Sequence, residues 1–115
     1  MSAENEVVVV YRAIATTEFR ETVKDAFASI ALATHAEPGC LGWAIHQGID
    51  DENEFIEVSR WTTAEDSSAH GSTEHVQWIL GVFGGEGVLQ QPGVLSVTRA
   101  LGLGTVEKGY LSNGR

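Results

Sequence analysis

The 115-residue chain holds one cysteine, two prolines, and only seven lysines and arginines against sixteen aspartates and glutamates. A single thiol excludes an internal disulfide. The shortage of basic residues leaves a formal charge of −9. A surface of that sign repels phosphate backbones and anionic lipid headgroups, so neither nucleic acid nor a membrane is an expected partner. No apolar run is long enough to span a bilayer, and the N-terminal MSAENEVVVVY is acidic where a secretory signal is basic. The expectation is a soluble cytoplasmic protein. With no stretch of linker composition, residues 1–115 read as one domain, its body at about 6–101 and an arm at 102–115. A core this modest has little room for a wholly enclosed substrate chamber, which points to a partner subunit or a shallow cleft.

What is present is an alternation of strand and helix signals. EVVVVYRAIA, 6–15, is dense in β-branched residues and too short for a helix, so it reads as a strand covered on both faces. Thr16 or Thr17 then caps a helix reaching about Glu37, with Phe19, Val23, Ala26, Phe27, Ile30 and Ala33 on one stripe. Pro38 disfavours helical geometry before it, and Gly39 permits a reversal. CLGWAIHQGI, 40–49, and EFIEVSRW, 54–61, flank a DDEN turn as an antiparallel hairpin. In the second of these, Phe55, Glu57, Ser59 and Trp61 share one face, with Ile56, Val58 and Arg60 on the other. Thr62-x-x-Glu65 fits a capping box opening a short helix near 63, and Gly71-Ser72 breaks it. A second helix from Thr73 to Phe83 buries Val76, Ile79, Leu80 and Phe83. The GGEGVLQQPG loop leads to a fourth strand at 93–102.

This order predicts an α+β, ferredoxin-like βαββααβ fold with a four-stranded antiparallel sheet. Helices cover one side of such a sheet, yet both sides of the first, second and fourth strands carry apolar residues. An identical subunit is therefore expected on the bare face.

The stretch WTTAEDSSAHGSTEH, 61–75, concentrates a tryptophan, two histidines, hydroxyls and carboxylates. His70 and His75 are five apart, roughly 140° around a continuous helix, whereas helical metal pairs use a spacing of four. No neighbouring Cys-x-x-Cys or His-x-x-x-His adds ligands, so no metal is expected. His70 reads either as a structural hydrogen-bonding residue or as a proton acceptor, since imidazole titrates near about pH 6.5. Trp61 reads as a core aromatic or as a wall for a flat substrate. Glu57, on the same face, gains a raised pKa if buried and then competes with His70 as the base. Of Arg12, Arg60 and Arg99, all in strands, at least two are expected to pair with carboxylates such as Glu54 or Glu57, and Arg99 is the one favoured to hold an oxyanion. Tyr11, Trp43 and His46 read as packing or dimer surface, and Cys40 as a buried thiol without an activating neighbour. Gly84-Gly85-x-Gly87 lacks the preceding strand and following helix of a phosphate cradle and reads as a turn or flexible lid.

EPGCLGW at 37–43, DDENEFIEVSRW at 50–61 and SAHGSTEH at 68–75 together resemble the antibiotic biosynthesis monooxygenase family over about residues 6–101. The resemblance implies a homodimer, a dimeric α/β barrel in which two ferredoxin-like sheets pack face to face. It also implies a shortlist of chemistry: oxygenation of phenols or hydroquinones by O2 without metal, flavin or haem, degradation of haem, or isomerisation of small metabolites. Haem-degrading members carry an asparagine in the first strand and an axial histidine about ten residues after the His70 position. This chain has no asparagine between Val7 and Ala15 and is apolar around Leu80, which argues against haem. Some aromatic-polyketide oxygenases carry asparagine four residues before the tryptophan, where this chain has Glu57. The reading taken forward is a cofactor-independent monooxygenase of a small phenol or hydroquinone. In it His70 takes the proton, Trp61 stacks, Arg99 or His75 steadies negative charge, and Glu57, Trp78 and Phe83 contact substrate. The alternative is a non-catalytic, small-ligand-binding dimer.

Overall fold

The computed structural model describes residues 5–103, so positions 104–115 of the expected arm lie outside the described residues. The strands are β1 (Val7–Ile14), β2 (Cys40–Gln47), β3 (Glu54–Trp61) and β4 (Val94–Arg99). The helices are α1 (Arg20–Ser29), α2 (Ala31–His35), α3 (Ala64–Gly71) and α4 (Glu74–Phe83), and a 3-10 turn, Thr17–Phe19, leads into α1. The sheet order is β2-β3-β1-β4 with every neighbour antiparallel, the ferredoxin-like arrangement expected of the element order. Within one chain the sheet stays open, with β2 and β4 as its edges.

Alternation along the strands sorts the residues. Val7, Val9, Ala13 on β1 and Phe55, Glu57, Ser59, Trp61 on β3 are buried beneath the helices, while Val8, Val10, Ile56 and Val58 point the other way and stay partly exposed. Phe27 joins Phe83 at a ring separation of 5.0 Å and Phe55 at 6.2 Å, filling the end of the sheet where Ala13 and Ala15 leave space. Arg12 pairs with Glu54, and Arg60 with Glu6 at 2.7 Å, so two of the three strand arginines are neutralised by carboxylates.

Four local expectations need correction. The single helix to residue 37 is broken at Ile30 (φ −99°, ψ 1°), and the break turns the stripe so that Thr34, not Ala33, is buried. The cap of α3 is Thr63 rather than Thr62: its Oγ1 accepts from the Asp66 amide at 3.0 Å, while Thr62 Oγ1 donates to the Asp66 carboxylate at 2.6 Å. Leu80 is 45% exposed because the buried positions of α4 are Val76, Ile79 and Phe83, which leaves it on the flank. The loop at 84–93 is tied down: Val88 is buried, its carbonyl accepts from Thr16 N–H at 2.9 Å, and Gln90 N–H donates to Ile14 O at 2.8 Å. Among the described residues, no helix is long and apolar enough to cross a membrane.

Candidate functional site

The residues of α3, AEDSSAHG, are small on the side that meets the sheet, and none of them is buried. A helix of alanine, serine and glycine can cover a sheet without filling the space beneath it. The result is a cavity of about 460 Å³, within the size range of small-ligand sites. Val9, Tyr11, Glu57 and Trp61 form its floor, Leu95 and Val97 its β4 side, and Phe27, Ile30, Val76, Ile79, Leu80 and Phe83 its apolar wall. Ser67, Ser68 and His70 line it from α3.

Two glutamates give this chamber its electrostatics. Glu57 is 8% exposed and accepts one hydrogen bond, from Trp43 Nε1 at 2.9 Å. Burial pushes its carboxyl above the ordinary range, and the Trp43 N–H and the nearby His70 pull it only partly back. Tyr11, stacked on Phe83 at 6.3 Å, has its phenol raised first by burial and then by the Glu57 charge. The second carboxylate, Glu37, comes from the turn between α2 and β2. Gly39 holds that turn at φ 81°, and a Cβ there would collide with the Asp66 side chain, so glycine is required twice over. Thr62 N–H donates to Gly39 O at 2.9 Å, locking the turn under the start of α3.

That lock brings Glu37 to both histidines. Its Oε2 lies 2.7 Å from His70 Nδ1 and 2.6 Å from His75 Nε2, with all three side chains mostly buried. A carboxylate only accepts, so the ring nitrogens facing it carry hydrogens, and in the neutral form of His70 the lone pair is on Nε2. The break at Ser72 makes the histidine pair possible. Thr73 caps α4 and also donates to His70 O at 2.7 Å, folding α4 back so that the imidazoles stand 5.9 Å apart. His70 also packs on Trp61, with ring centres 4.8 Å apart, and Trp61 Nε1 donates to Ser59 Oγ at 2.9 Å.

Of the residues singled out from the sequence, His70, Trp61, Glu57 and Phe83 line the one cavity. His75 meets it through Glu37 and lines an outer hollow with Trp78, which is 51% exposed. Arg99 ends β4 beside Glu6 and Val7 in a separate shallow hollow and makes no ion pair among the described residues. Cys40 is partly buried, and burial raises its thiol, which disfavours the nucleophilic thiolate. Sequence reasoning missed three site residues. Glu37 had no signal beyond preceding Pro-Gly, whereas Tyr11 and Trp43 were visible as aromatics facing the helix side of their strands.

The fold and its hollow define a class: a ferredoxin-like α+β protein with a ligand-sized chamber between sheet and helices. The family model for antibiotic biosynthesis monooxygenase matches residues 6–79, and the chain belongs to that family. Membership points to monooxygenase-like chemistry on, or binding of, a small molecule. Solved structures agree in fold. A "putative antibiotic biosynthesis monooxygenase from Nitrosomonas europaea" superposes with TM-score 0.78 at 22% identity over 85% of this chain and 92% of its own. The Mycobacterium tuberculosis protein Rv0793 gives 0.77 at 20% identity over 84% and 95%. A conserved protein from Methanosarcina mazei gives 0.77 at 15% identity over 84% and 94%. A search of curated proteins finds no match to this chain.

Proposed function

We propose that the protein is a cofactor-independent monooxygenase that oxidises a small phenol or hydroquinone with O2. One observation carries the reading: an apolar, aromatic-walled cavity meets an imidazole whose tautomer Glu37 sets, so that a basic nitrogen is available beside it. A flat substrate stacks on Trp61 and packs against Phe83, and its hydroxyl gives a proton to His70 Nε2. The resulting phenolate passes an electron to O2 far more readily than the neutral phenol does. Recombination of the radical pair forms a carbon–oxygen bond, and His70 returns its proton to the peroxide. Loss of the ring C–H proton then breaks the O–O bond and releases water. One oxygen atom stays in the quinone product, the other leaves as water, and the substrate supplies all four electrons. Glu57 lines the same cavity and, when ionised, takes the C–H proton or holds a second hydroxyl.

The working unit is a homodimer. Val8, Val10, Ile56 and Val58 leave an apolar sheet face without a helix, and Leu95 and Val97, 61% and 56% exposed, form a cavity lip that a second copy would close. The second reading, a ligand-binding dimer without turnover, draws on Glu57, a buried acid suited to holding a polar ligand group. Oxygen consumption across a panel of phenols and hydroquinones, with no cofactor added, separates the two. The enzyme consumes one O2 per quinone formed and incorporates one atom of labelled oxygen from 18O2. Tight binding with no oxygen uptake across the panel decides for the binding protein.

A further inference from the structure

We propose that Glu37, His70 and His75 form a binding site for a divalent first-row transition metal, a state that competes with the proton transfer assigned above, because it puts a hydrogen on His70 Nε2, and that is readable without any turnover. The geometry is the argument. Glu37 Oε2, His70 Nδ1 and His75 Nε2 all lie within 4.8 Å of one another. An ion bound at ~2.0–2.2 Å to nitrogen and oxygen needs ligand atoms roughly 3.3 Å apart in a tetrahedron. The carboxylate oxygen now sits 2.7 Å and 2.6 Å from the two nitrogens, so opening the site takes roughly 0.7 Å of outward movement there while the nitrogens, within 4.8 Å of each other, settle at the same spacing. The ligands come from three elements that are each tied down: the Gly39 turn, the end of α3 packed on Trp61, and the first turn of α4 under its Thr73 cap. Little ordering therefore accompanies binding.

The donor set selects the ion. Two imidazoles and one carboxylate suit Zn2+, Co2+, Fe2+ or Ni2+, and they are too few and too nitrogen-rich for Ca2+ or Mg2+. Binding moves the hydrogen on each imidazole to its other nitrogen, with Glu37 supplying one negative charge against the ion's two positive ones. The remaining coordination positions are left to water or an anion. The site stands in the wall between the large cavity, lined by His70, and the outer hollow, lined by His75 and Trp78, so an ion has a route in from the surface.

The test uses the full-length, tag-free protein titrated with Co2+. Calorimetry reads one ion per chain, visible absorption reports nitrogen–oxygen coordination, and Trp61 emission is quenched because its ring lies against His70. Excess Zn2+ reverses both optical signals. The decisive variants are Glu37→Gln and His75→Gln; the glutamine amide at 75 can keep a hydrogen bond to Glu37 but ligates poorly. Each is expected to weaken Co2+ binding at least about tenfold while the circular dichroism spectrum matches the parent. Absence of binding by the parent protein overturns the proposal, as does binding that both glutamine variants leave unchanged. Because neither signal depends on oxygen uptake, loss of monooxygenase activity and loss of the metal site would be seen separately.

Discussion

The helix-covered face of the sheet has a filled end and a hollow end, and β1 runs through both. At one end Ala13 and Ala15 lie at 1% and 0% exposure under Phe27, Phe55 and Val88. Two and four residues back from Ala13, Tyr11 and Val9 of the same strand line the cavity. Both the strand and the helix above it differ between the two. α1 lays down Val23, Ala26 and Phe27, whereas α3 contributes Ala64, Ser67, Ser68 and Gly71. Large side chains over small ones make a core, and small over large make a chamber. The polar groups follow the same division: Glu57 and His70 belong to the hollow end, where space and a hydrogen-bonding frame let them be kept.

The largest effect expected is on chemistry at the hollow end. His70→Ala should lower kcat of phenol oxidation by about 10²–10⁴-fold, with some fall in the thermal midpoint as well, since the ring packs on Trp61 and hydrogen-bonds to Glu37. Oxygen uptake and a thermal melt check both. Survival of activity in His70→Ala together with its loss in Glu57→Gln would transfer the role of base to the buried acid.

Next in size is the filled end. Phe55→Ala should cost about 3–5 kcal/mol, read as a fall in the urea midpoint without a change in slope. Ser67→Leu sharpens the contrast, because at the hollow end added carbon meets space. It should change stability by less than about 1 kcal/mol, below the cost of overpacking a closed core, yet prevent ligand binding. Equal losses from both substitutions would mean that the hollow is an ordinary part of the core.

A smaller effect separates the two glutamates by pH. Glu57 has a folded-state pKa raised by burial, so the folded chain holds that proton more tightly than the unfolded one. Its contribution to stability therefore falls as pH rises from the ordinary carboxyl value, about 4.3, to the folded-state value, and is constant above it. Glu57→Gln removes the charge, while its amide oxygen can still accept from Trp43. The variant should be the more stable protein at neutral pH, and the gap should close as pH falls toward the ordinary carboxyl range. Parallel urea unfolding of both proteins from about pH 4 to about pH 8 measures it; a gap that stays constant with pH would show that Glu57 is not ionising in a dry place.

The same contrast explains what could be read from the sequence. The order of elements carried the sheet topology, and strand alternation put Phe55, Glu57, Ser59 and Trp61 on one face without telling which face is buried. It also indicated that a buried Glu57 would be raised and that two strand arginines would find carboxylates. Three things depended on contacts made far along the chain. Glu37 reaches His70 across 33 positions, and only because Gly39 and Asp66 lock two turns together. The helix break at Ile30 has no proline or glycine to announce it. The sequence beside the histidines holds no third metal-ligand spacing, whereas Glu37 reaches both of them from the turn between α2 and β2.

The smallest effect expected is at Trp78, an aromatic residue on the same helix as the cavity wall. The apolar stripe put Phe83, five residues on, on the buried side of the helix and left Trp78 off it, yet both were expected to contact substrate. Phe83 is 6% exposed and borders the cavity, while Trp78 is 51% exposed and faces the outer hollow beside Glu74 and His75. Trp78→Ala should therefore change stability by no more than about 0.5 kcal/mol, as surface substitutions do. It should shift KM for the phenol by less than about twofold, equivalent to under about 0.4 kcal/mol, whereas Phe83→Ala removes cavity wall and core together. Steady-state kinetics of the two variants on one substrate makes the comparison. A large rise in KM for Trp78→Ala would place part of the substrate in the outer hollow and redraw the boundary of the site around α4.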